Sequence, residues 1–130
     1  MNNKNRLRQF LGCLCALLVS CGFGYWLNAA ETNGYVGAVG EQKMILSLTW
    51  QDDGTVGGNY YCPGGSGKIY ALRGTNPRQG ELVLTEYTDG KATAICRFKK
   101  SVENGAIVWR GVMSNFDGRV KGMYFYRGNS

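Results

Sequence analysis

The sequence predicts an all-β protein, an antiparallel meander of about eight short strands that closes into a small barrel or folds as a two-layer sandwich. Three observations carry this. From Gly34 onward apolar residues recur with the period of a strand and not of a helix. Asp53-Gly54, Asp89-Gly90, Asn104-Gly105 and Asp117-Gly118 mark hairpins, because Asn, Asp and Gly tolerate the positive φ of tight turns. Every connection is too short for a crossover helix, so neighbouring strands must pair antiparallel.

The first predicted strand is YVGAV, 35–39, followed by the turn GEQ. MILSLTW, 44–50, puts Met44, Leu46, Leu48 and Trp50 on one face and Ser47 and Thr49 on the other. TVGGNYYC, 55–62, aligns Val56, Gly58, Tyr60 and Cys62. KIYALR, 68–73, and ELVLTEY, 81–87, follow; the second puts Glu86 in phase with Leu82 and Leu84. ATAICRFK, 92–99, turns Ala92, Ala94, Cys96 and Phe98 inward and Arg97 and Lys99 outward. AIVWRGVM, 106–113, groups Ile107, Trp109 and Met113, and VKGMYFYR, 120–127, ends the meander. No proline interrupts a strand, as a continuous ladder requires. Gly57, Gly58, Gly111 and Gly122 lie inside strands, where glycine permits strong bending or close backbone approach. A barrel of this size is filled by its own side chains and leaves little room for a large ligand.

Residues 1–30 stand apart. A basic start with Lys4, Arg6 and Arg8 leads into an apolar run, Phe10 to Ala30, with no charge before Glu31. This is the pattern of a secretory signal; the run is also long enough for a retained membrane anchor. Leu18-Val19-Ser20-Cys21 resembles the lipobox of bacterial lipoproteins. The resemblance implies lipidation of Cys21, with Gly22 after it directing the chain to the outer membrane, and a periplasmic location. Asn28-Ala29-Ala30 offers ordinary cleavage instead, leaving residues 31–130 as a single β domain.

Export changes the charge and the cysteine count. The whole chain carries 15 basic and 9 acidic residues. Without Lys4, Arg6 and Arg8 the balance is 12 against 9, a net of +3. That is mild, and argues against a nucleic-acid partner. Five cysteines less Cys13, Cys15 and Cys21 leave Cys62 and Cys96. A pair in an oxidising compartment predicts one disulfide, the alternative being two buried thiols.

Little catalytic chemistry fits these residues. The chain has no histidine, so no Ser–His or Cys–His nucleophile can form. The same lack, with no CxxC, removes the usual zinc patterns, and no metal or cofactor is expected. CPGGSGKIY, 62–70, superficially resembles a phosphate loop. It lacks the first glycine, it has Ile69 where a hydroxyl is needed, and a strand follows in place of a helix. No nucleotide is expected. Asp52-Asp53 is turn composition, since adjacent strand residues face opposite ways. Glu86 must be paired or protonated if buried. It reads as an ion pair at the barrel end, with Arg73 or Arg110 as partner, ahead of an acid in a pocket. Arg97, Lys99 and Lys100 form a basic outer patch suited to solubility or to an acidic partner.

Ser66-Gly67-Lys68-Ile69-Tyr70 at a hairpin tip resembles the Ser-Gly-x-x-Tyr loop of the bacterial periplasmic and membrane-bound lysozyme inhibitors. Those families are small barrels, some lipid-anchored, whose loop plugs the lysozyme cleft. The resemblance implies a non-catalytic inhibitor. Ser66, Gly67 and Lys68 would meet the lysozyme and Tyr70 would brace the loop. A related reading, carried by no motif, is an immunity protein that neutralises a toxin delivered to the periplasm. The competing expectation is a small-ligand barrel of lipocalin or avidin type, or an envelope lipoprotein with a structural role.

Overall fold

The computed structural model describes residues 30–128. The expected signal segment and the expected lipidation at Cys21 lie outside these residues. Eight strands follow in order: β1 Glu31–Val39, β2 Gln42–Trp50, β3 Thr55–Tyr61, β4 Tyr70–Thr75, β5 Glu81–Thr88, β6 Lys91–Glu103, β7 Ala106–Asn115 and β8 Val120–Arg127. Each pairs antiparallel with its neighbours, and β8 returns to β1 through Tyr35↔Arg127 to Val39↔Met123. The sheet is therefore a closed up-and-down barrel, not a sandwich. Closure leaves no edge strand to cap.

The turns explain why the strands fall where they do. Asp89 and Gly90 have φ of 52° and 83°, and Asn104 and Gly105 have 52° and 80°. Both pairs adopt the double positive φ of a two-residue hairpin whose twist matches the strands it joins. Alternation then sorts the faces. Met44, Leu46 and Leu48 of β2, Leu82 and Leu84 of β5, and Ala94, Cys96 and Phe98 of β6 point into the lumen and are buried. Ile107, grouped with the inward set from sequence, is half-exposed, because it stands at the end of the wall, beside the β6–β7 turn.

Four strand glycines are spacing devices. A Cβ at Gly58 would lie 1.9 Å from the Ser47 carbonyl oxygen, and one at Gly111 1.7 Å from that of Arg97. Inward side chains at these points would collide with the neighbouring strand, so glycine lets the narrow wall coil tightly. Gly37 and Gly74 meet the same constraint, whereas Gly122 has nothing within 4 Å.

The middle of the lumen and one end are filled by aromatic rings. Phe125, fully buried, takes the edge-to-face contacts with Tyr35 and Phe98 at 5.1 Å that aromatic quadrupoles favour. Trp109 lies 6.2 Å from Phe125 and 5.6 Å from Trp50. The Trp50 indole N–H donates to the Tyr35 hydroxyl at 2.9 Å, which satisfies both polar tips. β1 begins and β8 ends at this aromatic end, where Gly128 N–H donates to the Gly34 carbonyl.

Candidate functional site at the open end of the barrel

The opposite end carries the β1–β2 turn, the β3–β4 loop at 62–69, the Asp89-Gly90 turn and the β7–β8 turn. Between them a cavity of about 600 Å³ opens into the lumen. Its inner wall holds Tyr60, Glu86 and Thr93, and its mouth holds Gln42, Ser66 and Lys121.

Glu86 is the one buried charged side chain among the described residues, 4% exposed. Tyr60, on β3, donates its phenolic O–H to one carboxylate oxygen. Thr93 donates to the other at 2.7 Å. Thr93 can reach because β6 bulges there. Glu86 pairs with Ala94 and the next residue, Tyr87, with Ala92, so Thr93 is the extra residue. A bulge re-aims the side chain it carries. Thr88 closes the cluster, its hydroxyl 2.8 Å from that of Thr93. Burial and the bond to Glu86 push the Tyr60 phenol well above its ordinary value, so it stays a donor.

The expected ion pair is not made. Arg73 lies over the Tyr87 ring at 5.3 Å. Arg110 forms a two-pronged pair with Glu103, both bonds 2.7 Å. Both arginines project outward from strands whose inward positions alternate with theirs. Glu86 therefore has hydrogen bonds but no salt bridge among the described residues.

The loop residues singled out from sequence stand together at this mouth. Pro63 to Ile69 are exposed. Gly65 N–H bonds the Cys62 carbonyl at 2.9 Å, Lys68 N–H bonds Ser66 Oγ at 3.2 Å, and Gly67 takes a φ of 79°. Lys68 Nζ reaches Asp89 at 3.1 Å, tying the loop to the next hairpin. Lys68 and Ile69, expected to open a strand, belong to this loop, and β4 starts at Tyr70. Tyr70 stacks on Tyr60, ring centroids 5.0 Å apart.

Cys62 and Cys96 are both buried, but they are free thiols and not the expected disulfide. β3 and β6 are three strands apart in the wall. Inward side chains from such strands face one another across the lumen, while a disulfide needs Cα atoms within about 7 Å. Burial raises both thiols, Cys96 to about 12.

Sequence reasoning marked Glu86 and the loop but not Tyr60 or Thr93 as its partners. Tyr60 is 26 residues away from Glu86, and nothing in the alternation of β6 signals a bulge. No protein-family model, curated protein or solved structure matches the chain.

Proposed function

We propose that the protein is an exported, non-catalytic binding module of the bacterial envelope. Its 62–69 loop enters the cleft of an envelope-directed enzyme and blocks it, as in a lysozyme inhibitor or a periplasmic immunity protein. The observation that carries this reading is an exposed loop ordered by its own hydrogen bonds and tied to the next hairpin of a closed barrel by Lys68 and Asp89. A pre-ordered loop gives up little conformational entropy on docking, so more of its contact energy appears as affinity. Stacking of Tyr70 on Tyr60 fits the bracing role that the resemblance implies. The lysozyme as partner rests on that resemblance; a toxin acting in the periplasm rests only on the same compartment, size and blocking mode.

The test is an inhibition assay of the purified protein against a panel of lysozymes, with the complex weighed by light scattering. The expected outcome is one-to-one inhibition that weakens in Ser66→Ala and Tyr70→Ala. Inhibition unchanged in both variants sinks the loop as the contact, and no inhibition of any enzyme sinks the lysozyme reading.

A second reading is supported by the cavity with Glu86 on its wall, which suits a small ligand. Phe98, Trp109 and Phe125 fill the middle of the lumen. A large apolar ligand of lipocalin type has no space there, so the ligand would be small and polar.

A further inference from the structure

A buried carboxylate held only by hydroxyl groups is an unusual thing to keep. Removing an ionised carboxylate from water costs several kcal/mol unless a cation or several donors replace the hydration. Glu86 has two donors, Tyr60 and Thr93, one on each oxygen. Each oxygen retains acceptor capacity, and the side chain lines the open cavity. The bulge at Thr93 aims a hydroxyl at this carboxylate. An unpaired buried acid on a cavity wall marks a place where a cationic group can be received.

The mouth of the same cavity is predominantly of the opposite sign, with one acid, Asp117, among its cations. Lys68, Arg119 and Lys121 line it. Lys68 is taken by Asp89 at 3.1 Å and Arg119 by Asp117 at 2.8 Å. Lys121 makes no salt bridge among the described residues. Cys62, on the wall, lies within Coulombic reach of both Lys121 and Glu86. The cavity thus offers an anion inside and, outside, a cation that has no salt bridge among the described residues and shares the field of Asp117, and a ligand carrying both charges in the reverse order satisfies each.

We propose that this cavity binds a small zwitterion, its primary ammonium group meeting Glu86 and its anionic group meeting Lys121. The chemical class is that of free amino acids and short peptides. A volume of about 600 Å³ has room for molecules of that size. The inference rests on the small-ligand reading, and the site shares Ser66 and Lys68 at its mouth with the 62–69 loop.

Isothermal titration of the purified protein tests it, with β-alanine, γ-aminobutyrate and glycylglycine as zwitterions of different span. n-Butylamine and butyrate carry one charge each. At least one zwitterion is expected to bind at least about tenfold more tightly than either single-charge probe, the scale of one charge-assisted hydrogen bond. Glu86→Gln should weaken that zwitterion at least about tenfold, and Lys121→Met, which leaves the floor intact, should narrow its lead over butylamine. Equal binding of butylamine and the zwitterions overturns the ligand class but leaves a small-ligand site. Binding unchanged in both variants, or no heat from any probe, overturns the site itself.

Discussion

At one end of the barrel Trp50 packs on Trp109 and gives its indole N–H to Tyr35. At the other, a phenol and a threonine hold a carboxylate beside an open cavity. The first arrangement buries large apolar area and joins the polar tips of Trp50 and Tyr35 to each other. The second keeps a charge out of bulk water at a cost that packing alone does not explain. The aromatic end and the filled middle supply stability, and the open end gives some of it up to hold a carboxylate out of water. The same eight strands run through both ends, so the contrast lies in the side chains each strand presents as it passes.

The largest expected effect tests the filled region. Phe125→Ala removes a fully buried ring that contacts Tyr35, Phe98 and Trp109, and should cost about 4 kcal/mol in urea unfolding. A loss below about 1 kcal/mol would mean that the lumen is not packed as described. At the open end Thr93→Val leaves one oxygen of Glu86 without its donor. Its expected cost is about 1.5 kcal/mol, held down because cavity water can take the place of the hydroxyl. A cost equal to that of Phe125→Ala would erase the distinction between the ends.

Thiol chemistry sharpens the comparison. Cys62 lines the open cavity, while Cys96 is wholly buried with its thiol pushed up to about 12. Ellman's reagent at pH 8 should modify Cys62 at least about tenfold faster than Cys96, since thiolate fraction and access both favour it. The reading comes from peptide mapping, and detection of a Cys62–Cys96 disulfide would refute the free thiols. The smallest effect belongs to the exposed pair Arg110–Glu103. Two Arg110 bonds and Ser101 hold Glu103 down to about 2 from an ordinary 4.5. A depressed carboxylate stabilises the fold above its unfolded value and stops doing so as pH falls through its folded value. The Tm gap between wild type and Glu103→Gln should be full above about pH 4.5 and close toward pH 2. A gap that widens on acidification reverses the sign and removes the pair from the account.

Much of the barrel was legible because its rules are local. The Asp-Gly and Asn-Gly turns and the period-two alternation placed all eight strands near their positions. The errors also have local causes. Ser101, Val102 and Glu103 looked like turn residues, yet Asn104-Gly105 turns the chain alone, so β6 runs on to Glu103. β1 starts at Glu31 because β2 offers partners as far as Trp50, which a composition of Glu, Thr, Asn and Gly did not suggest. Closure by β8 against β1 depends on total coiling, and alternation alone could not separate barrel from sandwich. The partners of Glu86 needed three-dimensional information twice over, once for Tyr60 across the wall and once for the bulge at Thr93.

Glu31 and Arg127 both lie at the aromatic end, which fixes the handling of the molecule. Anything joined to either terminus of the barrel, whether a lipid anchor, an affinity tag or a sensor surface, grips it by its base. The mouth with Glu86 and the 62–69 loop then faces away from the support. A cup held that way can be filled or stoppered without being put down, so immobilised protein is suited to measuring both proposed modes of binding side by side.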